Sequence, residues 1–127
     1  MDTLKKQQLF QAAGIEFNEG MERFMGNEEL YIKYLCSFLF DGSLEELYTC
    51  IELGEWDTAA KAAWTLKGTA GNLAMVRLAD ALEALLQGLD KSEEALEPGI
   101  IQERLEFVRQ VYQDNCEIID KVYFQRA

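Results

Sequence analysis

Apolar residues recur along most of this chain at intervals of three and four residues, the spacing that places them on one face of an α-helix. Leu78, Leu82, Leu85 and Leu89 are a clear example. The chain contains one proline, so few positions force a helix to break, and runs of β-branched residues, which favour strands, are few. The pattern therefore predicts helices and no strand.

Capping residues and glycines divide this pattern into separate helices. We predict a first helix that begins at Asp2 or Thr3 and ends before Gly14, and further helices over residues 19–25, 28–53, 58–73, 75–89 and 99–124, with Asn18, Asn27, Asp57 or Thr58, and Pro98 at the starts of four of them. Residues 41–43 are expected to bend or interrupt the third helix, and Gly88 with the charged stretch 90–97 to connect the last two. These elements predict one domain over residues 1–127, an antiparallel bundle of four long helices with additional short N-terminal helices.

Residues 57–73 are the most informative segment. On a helix with 3.6 residues per turn, one side collects small and apolar residues and the other a mixed set. The first set is Ala59, Ala62, Ala63, Leu66, Ala70 and Leu73, and the second is Asp57, Ala60, Lys61, Trp64, Lys67, Gly68 and Gly71. Trp64 is therefore expected to point away from the core. Gly68 is equally unusual, because a glycine inside a helix costs about 1 kcal/mol relative to alanine.

Two interpretations of this mixed face stay open. In the first, Trp64, Lys67 and Gly68 form a docking patch, where the missing side chain of Gly68 lets another surface approach the helix backbone. In the second, Trp64 folds over Gly68 and Gly71 to cover exposed backbone, and Lys67 is only solvated. The candidate binding residues are Trp64, Lys67, Gly68, Lys61, Gly71 and Arg77, the last as an extension of the basic patch of Lys61 and Lys67.

The segment AAWTLKGTAGNLAMVRLADALE resembles the signature of histidine-containing phosphotransfer (HPt) domains, A-H-x-L-K-G-x-A-x-x-x-G, and the resemblance extends over residues 13–89. It implies a four-helix bundle that shuttles a phosphoryl group between the aspartates of receiver domains, from a histidine exposed in mid-helix. In such a domain the counterpart of Lys67 helps to neutralise the phosphoryl charge. The counterpart of Gly68 leaves room for the receiver domain.

Three positions depart from the family pattern. Trp64 occupies the histidine position, and its indole nitrogen carries a hydrogen and has no basic lone pair to accept phosphorus. The family often has Glu or Gln 22 residues later, where this chain has Leu86, and the glycine that usually follows Asn-Leu is Ala74. The chain contains no histidine, and Thr65 has no adjacent base to activate its hydroxyl. We therefore expect no catalytic residue and no phosphotransferase activity.

Composition narrows the classes of ligand and partner. Twelve Lys and Arg against 23 Asp and Glu give a formal net charge of -11, which repels phosphate backbones and anionic lipids, so neither a nucleic acid nor a membrane partner is expected. The lack of histidine, with Cys36, Cys50 and Cys116 widely spaced, argues against a metal site, and we expect no cofactor. The cysteines are expected to be buried free thiols in a cytoplasmic protein.

These observations lead to one expectation about function and one alternative. The expected function is that of an HPt-like signalling module in a two-component phosphorelay, which binds a receiver domain or a sensor histidine kinase without transferring phosphate. The alternative is a structural helical bundle that no longer takes part in signalling. In this alternative Trp64 lies in the contact between the two chains of a homodimer.

Overall fold

The computed structural model describes residues 2–89 and 98–124, and all regular structure within these two stretches is α-helical. Seven helices follow one another along the described residues: α1 (Thr3–Ala12), α2 (Phe17–Arg23), α3 (Glu28–Phe38), α4 (Ser43–Glu52), α5 (Trp56–Asn72), α6 (Val76–Leu89) and α7 (Pro98–Tyr123). The all-helical prediction is confirmed. The predicted connection over residues 90–97 lies outside the described residues, and Gly88, expected to belong to it, lies inside α6.

Two of the predicted helix caps form as expected. The Asp2 carboxylate accepts a hydrogen bond from the Lys5 backbone N–H at 2.8 Å, and the Asn27 side chain accepts one from the Leu30 backbone N–H at 3.1 Å. Each bond satisfies a donor that the first helical turn leaves without an internal partner. Asn18, in contrast, does not cap α2: its side-chain oxygen accepts a hydrogen bond from the Gln7 amide, and the helix begins at Phe17, two residues before the predicted start.

The predicted long helix over residues 28–53 is interrupted at the stretch that was expected to bend or break it. The chain leaves helical geometry after α3 and re-enters it at Ser43, whose backbone N–H donates to the Asp41 carboxylate at 2.7 Å. The Tyr112 hydroxyl of α7 donates to the Asp41 carbonyl at 3.1 Å. Asp41 therefore accepts hydrogen bonds both from the first backbone N–H of α4 and from the Tyr112 hydroxyl of α7.

A single apolar core joins these helices. Helix α5 packs against both α4 and α6, and α7 packs against α6, α1 and α3. The core is built mainly from leucine, alanine and aromatic side chains, among them Phe10, Tyr31, Leu35, Leu47, Leu66, Leu78, Leu82, Leu85, Val108 and Ile119. Trp56 is 39% exposed at the start of α5. In the described stretches, no helix combines the length and apolarity that crossing a membrane requires.

Buried polar contacts fix the C-terminal end of α5 and the N-terminal segment. The Tyr31 hydroxyl donates to the Leu73 carbonyl at 2.8 Å, and the fully buried Asn115 amide donates to the Ala13 carbonyl at 2.7 Å. These carbonyls lie where helices end, so they lack a helical partner and need a side-chain donor. The ends of α1 and α5 are thus held by side chains of α7 and α3.

The three cysteines are free thiols, and their burial differs from the expectation. Cys50 is buried, but Cys36 and Cys116 are only partly buried. Burial raises the pKa of the Cys116 thiol to about 11. A thiol with a raised pKa is mostly protonated at neutral pH and reacts slowly.

Candidate functional site

The outward face of α5 carries the candidate site, and its orientation follows the sequence pattern. Ala59, Ala63, Leu66 and Ala70 are fully buried along the opposite side of this helix. Trp64 is 69% exposed, although tryptophan is the largest apolar side chain. The prediction that Trp64 points away from the core is confirmed.

Gly68 and Gly71 leave open surface beside the tryptophan. A methyl group built at the Cβ position of either glycine meets no described atom within 4 Å, apart from its chain neighbours and the nearby backbone of its own helix. An indole folded over these glycines would lie within that distance. The interpretation in which Trp64 covers the backbone of Gly68 and Gly71 is therefore wrong, and the helix backbone is accessible there.

Lys67 forms an ion pair with Glu83 of α6. The lysine side chain is 36% exposed and the glutamate side chain 46% exposed. The hydrogen bond from Lys67, together with its positive charge, lowers the pKa of the Glu83 carboxyl below its usual value. Lys67 is thus not simply solvated, because a carboxylate of the same chain already compensates its charge.

Lys61 lies one turn before Trp64 and is exposed. None of the ion pairs found among the described residues includes it. Residues 58–72 of the chain contain no Asp or Glu, and Asp57, the one carboxylate of α5, lies in its first turn. The side of α5 that carries Trp64 therefore has two lysines, Lys61 and Lys67, and one carboxylate, Asp57, while Glu83 of α6 faces Lys67.

Arg77 does not extend this basic patch. Its guanidinium donates to the Ala12 carbonyl at 3.2 Å, and its backbone N–H donates to the Gly14 carbonyl at 3.1 Å. Arg77 precedes Glu83, the residue facing Lys67, by six residues, which is about 9 Å along the axis of α6. The side chain packs so closely on Gly14 that a Cβ there would lie 2.4 Å from the Arg77 Cβ. Arg77 therefore connects α6 to the end of α1.

The two further departures from the resembled signature have distinct surroundings. Leu86 is partly buried and packs against the core, so an apolar side chain suits its position. Ala74 is buried in the turn between α5 and α6 with φ of +59°, a left-handed conformation that favours glycine. The resembled signature has glycine at this position, where this chain has an alanine.

Glu83 is the residue of the site that the sequence analysis missed. Lys67 and Glu83 each lie eight residues from Met75, at the turn between two helices. When two helices pack side by side through a short turn, residues at equal distances from the turn lie at the same level. This symmetry, combined with opposite charges, was a usable signal.

Metal binding and a hydroxyl nucleophile are the other chemistry to consider among the described residues. Among them, no group of three or more His, Cys, Asp or Glu side chains is placed to hold a metal ion. Thr65 is exposed, and its carbonyl accepts a hydrogen bond from the Thr69 hydroxyl at 3.3 Å. Comparisons with protein families, curated proteins and solved structures found no match to this chain.

Proposed function

We propose that this chain is an HPt-like signalling module that binds a receiver domain or a sensor histidine kinase of a two-component phosphorelay without transferring phosphate. The observation that carries the proposal is the exposure of Trp64 at the position where the HPt signature has its histidine. Tryptophan is enriched among the residues that contribute most to protein–protein binding, and 69% exposure makes the indole available to a partner.

The residues around Trp64 support a role in binding a partner over a role in phosphotransfer. Gly68 leaves the helix backbone open to an approaching surface, and Lys61 adds positive charge beside the indole. The indole N–H donates hydrogen bonds but cannot accept a phosphoryl group. Lys67, whose family counterpart neutralises phosphoryl charge, is paired with Glu83. The proposed scaffold is a four-helix bundle of HPt type, with α4, α5, α6 and α7 as its helices.

A binding titration against purified receiver domains and the cytoplasmic portions of sensor kinases tests the proposal. We expect Trp64→Ala to weaken binding by about tenfold or more, as for a central interface tryptophan. Trp56→Ala is the matched control, because Trp56 lies on the same helix and is 39% exposed. Equal affinities for Trp64→Ala and the wild type would contradict the proposal.

A phosphotransfer assay tests the second half of the proposal. We expect no stable label on this chain after incubation with phosphorylated receiver domains or an autophosphorylated kinase, because the indole at the histidine position has no basic lone pair to accept phosphorus and Thr65 has no adjacent base to activate its hydroxyl. Stable incorporation would refute that half. Light scattering at the same concentrations distinguishes the alternative, in which the chain forms a dimer that Trp64→Glu disrupts.

A further inference from the structure

A groove of about 590 Å³ runs between α3 and the C-terminal end of α5. Phe38 and Leu73 line it as buried residues. At one end the Phe24 ring packs on the rings of Tyr31 and Tyr34, with ring centroids 5.3 and 5.4 Å apart. The other residues that line the groove are Arg23, Leu30, Tyr34, Ser37, Asp41, Thr69 and Asn72. The groove is therefore apolar at its centre and polar along its edges.

Two protruding apolar side chains lie beside the two ends of this groove. Met25 follows the lining residue Phe24 and is 94% exposed, and Phe40 precedes the lining residue Asp41 and is 85% exposed. They are the two most exposed large apolar side chains among residues 2–89 and 98–124. A groove and protruding apolar groups on one face allow that face to bind a second copy of itself about a two-fold axis.

The two charged residues that line the groove have opposite signs and lie at opposite ends. Arg23 lies at the α2 end and Asp41 just beyond the end of α3. Arg23 pairs with Glu19 at 3.3 Å, and the Asp41 carboxylate accepts the Ser43 backbone N–H at 2.7 Å. The guanidinium and the carboxylate each keep further hydrogen-bonding positions. A two-fold rotation that reverses the direction of α3 brings Arg23 of each copy beside Asp41 of the other.

Other charged residues flank the groove instead of lining it. On α3, Glu29 and Lys33 each precede a lining residue by one position, and Glu22 does so on α2. Successive residues of a helix project about 100° apart around its axis, so these side chains lie to the side of the groove. The lining residues themselves carry no net charge, because one cation balances one anion. In a chain with a net charge of -11, such a face lets two copies approach with little repulsion.

We infer that this chain forms a two-fold symmetric homodimer through this groove. In the dimer, Phe40 of each copy contacts the Phe24 end of the groove of the other copy, and Arg23 pairs with Asp41 of the other copy at both ends. Trp64 does not line the groove, so the inference does not rest on the proposed function. It also differs from the homodimer in which Trp64 forms the contact. A contact confined to one groove and its edges belongs with the small interfaces, below about 1,200 Å² in total, so the dimer exchanges with monomer.

Sedimentation velocity over a range of micromolar concentrations tests the dimer. We expect the wild type to shift from monomer towards dimer as its concentration rises, and Phe40→Glu to raise the dissociation constant at least tenfold. Phe107→Glu is the matched control, because it makes the same exchange at an exposed position on α7. We expect Phe107→Glu and Trp64→Glu to stay within twofold of the wild type.

A mixing experiment tests the pairing of the two ends. Arg23→Asp has an aspartate at both ends of its groove, and Asp41→Arg has an arginine at both ends. Each variant alone is expected to lose at least tenfold in dimer affinity, because like charges meet at both ends of its homodimer. An equimolar mixture is expected to regain dimers, because each aspartate of one chain then meets an arginine of the other. Recovery on mixing cannot come from a chain that has unfolded.

The other outcomes would overturn the inference. A wild type that stays monomeric at the highest concentration would do so, as would a dimer that Trp64→Glu disrupts and Phe40→Glu does not. A mixture with no more dimer than the separate variants would contradict the two-fold arrangement. If Phe40→Glu weakens binding to a receiver domain and leaves self-association unchanged, the groove binds that domain and not a second copy. Circular dichroism and a thermal melt of Phe40→Glu, with Phe40→Ser as a second variant, separate loss of the contact from unfolding. The proposed function is judged separately, by the titration of Trp64→Ala.

Discussion

The side chains of Lys67 and Glu83 join α5 to α6 at a level eight residues from the turn at Met75. The pair compensates the charge of Lys67 within the chain. The cation that the resembled signature assigns to phosphoryl chemistry is here a contact within the chain. Its removal is therefore expected to affect stability more than binding.

Glu83→Gln is expected to lower the melting temperature slightly at pH 7 and to leave it unchanged in strong acid. The pKa of Glu83 is lowered in the folded chain, so the pair contributes stability above the unfolded pKa of about 4.3. This contribution is lost as the pH falls through the folded pKa. Thermal melts of the variant and the wild type between pH 7 and pH 2 measure it. A difference in melting temperature that persists at pH 2 would contradict this assignment.

Ala74→Gly is expected to raise the free energy of unfolding by about 0.5–1 kcal/mol. Ala74 has φ of +59°, where an L side chain is strained and glycine is not, and part of the gain is offset by the flexibility that glycine adds to the unfolded chain. Urea denaturation measures the change. The same substitution at Ala60, in the interior of α5, is expected to lower stability by about 1 kcal/mol. A loss at both positions would argue against strain at Ala74.

Two glycines on different helices are expected to respond in opposite directions to alanine. At Gly20 a Cβ would lie 2.1 Å from the Tyr31 ring, so Gly20→Ala forces buried groups apart and costs about 1–3 kcal/mol. At Gly68 a Cβ meets no described atom within 4 Å beyond its chain neighbours and the nearby backbone of its own helix, so Gly68→Ala gains about 0.5–1 kcal/mol from helix propensity. Chemical denaturation checks both changes. In the receiver titration Gly68→Ala should weaken binding if this open backbone contacts the partner.

Trp64→Ala is expected to change the free energy of unfolding by less than about 0.5 kcal/mol, because the indole is mostly exposed. Leu66→Ala, two residues away on the buried side, is expected to cost about 2–5 kcal/mol. Denaturation of the two variants beside the wild type makes the comparison. A large loss for Trp64→Ala would mean that the side chain serves the fold and would weaken the binding proposal.

The Cys116 thiol is expected to be alkylated slowly at neutral pH. Burial raises its pKa to about 11, so the thiolate that reacts is scarce at pH 7 and increases about tenfold with each pH unit up to about pH 10. Mass spectrometry of the peptide after iodoacetamide treatment measures this rate. A rate that stops rising near pH 9, as expected for an ordinary cysteine, would contradict the raised pKa.

The helices and the exposed face of α5 could be predicted because they depend on local spacing. The positions of Ala59, Ala63, Leu66 and Ala70 at helical intervals fix which side of α5 is buried, and this places Trp64 outside. Asn27 could be assigned as a cap for the same reason, since its partner is three residues away.

The partners of Lys67 and Arg77 could not be predicted from the spacing of residues within one helix. Lys67 pairs with a residue 16 positions away, and Arg77 donates to a carbonyl 65 positions away. Such contacts depend on how helices are placed relative to each other, which periodicity does not specify. The N-cap of α2 is Glu16 and not the predicted Asn18. This difference also depends on a contact between helices, because Gln7 of α1 donates a hydrogen bond to the Asn18 side chain.

The hydrogen bond from Asn115 to the Ala13 carbonyl has a consequence for the order in which parts of the chain can fold during translation. The two residues are 102 positions apart, so the carbonyl at the end of α1 is synthesised long before its donor. The hydrogen bond that holds the end of α1 can therefore form only after α7 has been synthesised. Until Asn115 has been synthesised, water is the donor that satisfies the Ala13 carbonyl.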